Sequence, residues 1–154
     1  MRFITILGLL FMLASTGESQ TNNTNPNYDA TLAEKLGADD YGMKSYVLVI
    51  LRTGSNTDPD EEAKNQAFRG HFDNMDKMAE EGKLIVAGPI GKNENEYRGI
   101  FILNIADLEE ARALVQTDPA IAAKYLTADL YNWYGSAALP EYLEASDKIW
   151  KISP

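Results

Sequence analysis

His71, the only histidine in the chain, is the residue whose type and placement best suit it to chemistry. At about 100° per residue across residues 63–82, Ala63, Ala67, Phe68, His71, Phe72, Met75, Met78 and Ala79 share one continuous sector. Arg69, Asp73, Asp76, Lys77 and Glu80 take the opposite side. The imidazole therefore points at whatever this helix covers. A buried ring must satisfy two nitrogens, and its pKa moves easily through the physiological range. Two readings follow: a core histidine with a hydrogen-bonded partner, or the acid/base of a small active site.

The rest of the chain offers few other reactive groups. With no cysteine there is no thiolate nucleophile, no disulfide and no cysteine metal site. One histidine without cysteine also argues against structural zinc, and acid/base chemistry at a histidine implies neither a metal nor an organic cofactor. A serine triad is excluded because no Gly-x-Ser-x-Gly elbow occurs. Tyr46, Tyr131 and Trp133 carry ring faces and polar tips that either pack the core or line a pocket for an aromatic substrate. Arg98 is the basic residue to consider for an anionic group, or it is only an exposed strand charge. Gly88 and Pro89 end a strand, where the backbone either approaches a ligand or simply turns. The dipeptide Asp-Pro occurs at Asp58 and at Asp118, and both read as helix N-caps worth about 1 kcal/mol.

The elements that must position these residues follow from periodicity. Residues 1–19 carry one Arg, then an apolar run, then small polar residues, which reads as a signal peptide of a periplasmic or secreted protein. The run is shorter than the roughly 20 residues a membrane helix needs, so no span is expected after signal removal. Residues 20–42 read as a flexible segment with a short helix over 29–37, capped by Asp29, with Leu32 and Leu36 facing inward. The domain then occupies 43–154. Strands are expected at 44–51, 83–89, 97–105 and 128–134, and helices at 60–82, 108–116, 120–126 and 141–150. Asp58 is the expected cap of the first long helix and Asp107 of the second.

That order is β-α-β-β-α-β, an α+β ferredoxin-like fold with a four-stranded antiparallel sheet and both long helices on one face. The other face is also apolar. Tyr46, Leu48 and Ile50 oppose Val47, Val49 and Leu51, and Ile100 and Ile102 oppose Phe101, Leu103 and Ile105. Soluble monomers rarely expose so large a patch, so a homodimer packed sheet to sheet is expected. The net charge of −9 argues against nucleic acid as a partner, since phosphate binding needs a basic footprint.

The ordered set SYVLVIL, FRGHFDNMDKMAEEGKL, IVAGPI, RGIFIL, DLEEARALVQTDPA and YNWYG resembles the YCII-related family over about residues 43–135. The resemblance implies a ferredoxin-like fold that pairs into a dimeric α/β barrel. It also implies a shared histidine–aspartate site, matched here by His71 and Asp118, and a branch of the family that dehydrochlorinates chlorinated hydroxyquinols. The function expected is that of an exported, cofactor-free lyase or isomerase. His71, oriented by Asp118, would move a proton on a small aromatic or enolic substrate. The alternative is a non-catalytic dimeric module that binds a small ligand.

Overall fold

The computed structural model describes residues 25–149 and 151; the expected signal peptide lies outside the described residues. Helix α1 (Ala30–Leu36) is capped by Asp29 and closed by Gly37 in the left-handed region, φ 69°. It buries no residue; Leu32 is exposed and Leu36 half-buried, so the inward-facing leucines expected here are not found. Strand β1 (Met43–Thr53), helix α2 (Glu61–Glu80), and strands β2 (Leu84–Pro89) and β3 (Tyr97–Leu103) follow. Helices α3 (Leu108–Val115) and α4 (Pro119–Ala122) lead into strand β4 (Leu126–Ser136). The closing segment is a 3-10 turn (Leu139–Glu141) and a five-residue helix α5 (Tyr142–Ser146).

The sheet order is β2-β3-β1-β4, with each neighbouring pair antiparallel, which is the ferredoxin-like arrangement. Valine, isoleucine and leucine alternate along β1, so one face carries Val47, Val49 and Leu51 into the core. Phe101 and Leu103 of β3 join them through the register Val47↔Leu103 and Val49↔Phe101. Met78 of α2, Ala111 and Val115 of α3, and Ala120 and Ile121 of α4 close this core from above. On the opposite face Leu48, Ile50, Ile100 and Ile102 are only half-buried, and Tyr131 is 51% exposed. Neither α1 nor α5 buries a residue completely.

Several boundaries differ from expectation, those of α2 and α4 for local reasons. Helix α2 is capped by Asp60, whose Oδ1 accepts the Ala63 amide at 3.0 Å. Asp58 instead accepts the Asp60 amide at 3.0 Å, after Asn56 has taken the Asp58 amide at 2.8 Å. These two side-chain turns carry the chain past Pro59 and move the cap two residues on, from Asp58 to Asp60. Helix α4 stops at Ala122 because Lys124 takes a positive φ of 62°, and β4 begins at Leu126 instead of Ala128. The long closing helix expected at 141–150 is reduced to α5.

Candidate functional site

Helix α2 stands off the β2-β3-β1 part of the sheet and leaves a cavity of about 730 Å³ beneath it. His71 lines this cavity from the helix side and Phe101 from the sheet. His71 as a whole residue is 7% exposed. Its ring lies 6.0 Å from Phe101 at an interplanar angle of 25°, with Phe68 and Phe72 edge-on at 6.2 and 5.5 Å. Three aromatic rings thus hold the imidazole in one orientation.

Nδ1 of His71 lies 2.6 Å from Oδ2 of Asp118, a side chain with no exposed surface. The other carboxylate oxygen, Oδ1, accepts the backbone amides of Ala120 at 2.9 Å and Ile121 at 3.2 Å. Asp118 is therefore an N-cap and the partner of His71 at the same time. The proline at the first position of α4 forces this turn, because it lacks an amide and holds its φ in the helical range. The two oxygens are left to divide the backbone and the ring between them.

Gly70 makes the meeting possible. A Cβ there would stand 2.7 Å from Cγ of Pro119, so only glycine lets α2 settle against α4 at this point. At the cavity's end, Gly54 allows a similar approach: an added Cβ would lie 2.0 Å from the Lys124 carbonyl oxygen. That contact, with Asn56 Nδ2 donating to the Ala123 oxygen at 2.8 Å, holds Tyr125 at the cavity wall.

An ionised carboxylate can only accept, so the ring proton sits on Nδ1 and the neutral imidazole presents an unprotonated Nε2. Nε2 makes no hydrogen bond to protein among the described residues, and no buried side-chain nitrogen or oxygen among them lacks a partner. Nε2 is therefore the accessible edge of a ring that lines the cavity. This arrangement can take up a proton at Nε2 while Asp118 stabilises the imidazolium. Among the described residues, no three His, Cys, Asp or Glu side chains are grouped so that they could hold a metal ion. No helix among them is long and apolar enough to cross a membrane.

The structure brings His71, Gly88, Pro89 and Arg98 to the cavity and joins Asp118 to it through His71. It does not bring Tyr46 or Trp133. Both side chains lie on the other face of the sheet, paired in register with ring centroids 5.5 Å apart. Tyr46 is fully buried there and donates its hydroxyl to the Ser136 carbonyl at 2.8 Å, so its polar tip is already satisfied. Tyr131, also considered as a pocket residue, pairs with Leu48 on that same face.

Sequence reasoning missed Asn56, Lys64, Asp76 and Tyr125, which border the cavity. The angular projection put Asp76 on the solvent side. The i, i+4, i+7 spacing of Lys64, Phe68 and His71 was available as a signal for Lys64.

The YCII-related domain family matches residues 46–131. No curated protein matches the chain. Among similar solved structures is 5-chloro-2-hydroxyhydroquinone dehydrochlorinase from Burkholderia phenoliruptrix AC1100, in complex with 2,5-dihydroxybenzoquinone. The two share 17% identity over 56% of this chain and 92% of that one, with a TM-score of 0.41.

Proposed function

The chain belongs to the YCII-related domain family, and from that premise we propose that it is a cofactor-free acid/base enzyme of the lyase or isomerase kind. One observation carries this reading. His71 is gripped at Nδ1 by a fully buried carboxylate, and its Nε2 has no protein partner among the described residues at the wall of a mostly apolar cavity.

In the proposed step, Nε2 removes a proton from an acidic C–H or O–H of a small phenolic or enolic substrate. The electron pair of the broken bond becomes a new C=C or C=O bond. Either a leaving group departs with its own pair or a different carbon receives the proton back from Nε2. Asp118 keeps the Nδ1 proton and balances the transient imidazolium charge. A positioned base of this kind contributes about 10²–10⁴-fold.

Deuterium exchange in D₂O tests this on a panel of phenols and 1,3-dicarbonyls followed by proton NMR. The wild type should accelerate exchange for at least one class. His71→Asn should lose about 10²–10⁴-fold of that rate while remaining folded. Equal rates in the two proteins overturn the catalytic reading; ligand binding without any exchange in the wild type favours the non-catalytic binding module instead.

The same proposal includes a homodimer through the sheet face that carries Leu48, Ile50, Ile100 and Ile102, with light scattering as its check. It also includes export directed by residues 1–19, for which the N-terminal sequence of mature protein should begin at Gln20.

A further inference from the structure

The described residues include four arginines, three of which are spent on carboxylates: Arg52 on Asp129 at 3.3 Å, Arg69 on Glu62 at 3.0 Å and Arg112 on Glu109 at 3.6 Å. Arg98 differs. Its Nε donates to Thr53 Oγ1 at 2.7 Å, and its two terminal amino groups have no protein partner among the described residues. Thr53 thus fixes the plane of a guanidinium that borders the cavity. A fork held this way is suited to two parallel hydrogen bonds to a carboxylate.

Helix α2 begins shortly after β1 ends at Thr53, which puts Lys64, in the first turn of α2, toward the end of the cavity where Thr53 holds Arg98. Its ion pair with Glu61, 3.6 Å away on the helix surface, is exposed and so holds it weakly. Asp76, the one acid bordering the cavity, lies 12 residues further along the helix, about 18 Å at about 1.5 Å per residue. The cavity is therefore cationic at the Arg98 end and acidic at the other, in a chain of net charge −9.

Between the two cations and His71 lies an aromatic slot. His71 is seven residues from Lys64, about 10 Å along the helix axis. Phe68 occupies the intervening turn, with the Tyr125 ring 6.3 Å from it. An axial interval of about 10 Å is of the order of one aromatic ring with a polar group at each end, which here would be an anionic group and an ionisable one.

We propose that Arg98 and Lys64 form an anion clamp, and that the substrate class is a monocyclic aromatic or enolic carboxylate. The substrate's carboxylate meets Arg98 while its acidic O–H or C–H meets Nε2 of His71. The assignment rests on the acid/base reading for the role of His71, but the clamp is measured by binding alone.

The probes are 4-hydroxybenzoate and its neutral counterpart 4-hydroxybenzamide, titrated by calorimetry or NMR. The wild type should bind the acid about tenfold more tightly, equivalent to about 1.4 kcal/mol. Arg98→Met should erase that preference and leave amide binding unchanged, Arg98→Lys should restore part of it, and Lys64→Met should cost about threefold. Equal affinities in the wild type, no binding of the acid, or a preference that persists in Arg98→Met each overturn the clamp. His71→Asn should keep the preference. If it does while no protein shows turnover, the clamp stands and the acid/base reading falls.

Discussion

Asp58-Pro59 and Asp118-Pro119 are the same dipeptide in two surroundings, and the chain uses them for different things. Asp58 is exposed, and its carboxylate bridges only to the amide of Asp60, which then caps α2. Asp118 has no exposed surface, and one oxygen caps α4 while the other holds His71. The local chemistry of aspartate before proline is identical at both. What separates them is that α2 lies across the second step, with Gly70 removing the one Cβ that would keep it away. A third aspartate refines the point. Asp39 gives Oδ1 to the amides of Tyr41 and Met43 and Oδ2 to the hydroxyl of Tyr134, the same division of labour as Asp118, but at the surface. Division of the two oxygens is common currency; burial makes one such division a candidate catalytic pair.

The largest expected effect comes from alanine at the two proline-linked aspartates. Asp118→Ala removes a cap and a charged, buried hydrogen bond, and should cost about 3 kcal/mol in urea unfolding. Asp58→Ala should stay within about 0.5 kcal/mol, as surface changes usually do. Equal costs at the two sites would erase the distinction between them.

Next comes Gly70→Ala. Its Cβ meets a rigid proline ring at 2.7 Å, so α2 and α4 must separate. Overpacking of about 1–3 kcal/mol is partly offset by alanine's better helix propensity, leaving a net loss of about 1–2 kcal/mol. The low-field proton resonance of His71 Nδ1–H should weaken or exchange faster in this variant. Gly88→Ala, with nothing within 4 Å of the added atom, is the control.

Asp60→Ala should cost about 1 kcal/mol of α2 capping, more than Asp58→Ala, and circular dichroism during unfolding reads the difference.

The smallest effect is a titration. The Tyr134 phenol is pushed up to about 12, chiefly by donating to Asp39, whose own carboxyl is held below its usual range, chiefly by the same hydrogen bond. The signs of the linkage are opposite. The contribution of Tyr134 is present below about pH 10 and lost as pH rises through about 12. That of Asp39 is present above about pH 3.8 and lost as pH falls through its depressed value. The ultraviolet absorbance missing from Tyr134→Phe should titrate near pH 12 in the wild type and nearer 10 in Asp39→Ala.

Much of the fold was legible because period 2 and period 3.6 alternate cleanly along the chain. The run from Lys44 to Leu51 could be nothing but a strand, and the stripe through Ala67, His71 and Met78 identified the buried side of α2. The ends were less legible. Asp58 and Asp60 are both sound caps, and competition between side-chain turns chose the later one. Phe72 and Ala79, placed on the apolar side, are exposed, Phe72 at the border of the cavity and Ala79 in the last turn of α2. That Tyr46 and Trp133 do not border this cavity was not legible, because strand alternation says which residues share a face but not which face holds the cavity.

By itself, the amino-acid order determined that His71 faces inward and that Asp118 starts a helix, since both follow from helical spacing and the fixed φ of proline. Only tertiary structure decided that the two side chains meet 2.6 Å apart, 47 residues distant in sequence. It also decided that Arg98, held by Thr53 and with no carboxylate partner among the described residues, borders the same cavity. Contacts of that kind depend on how closely two helices and a sheet approach, a matter of packed volume around Gly70 and Pro119 that no local periodicity encodes.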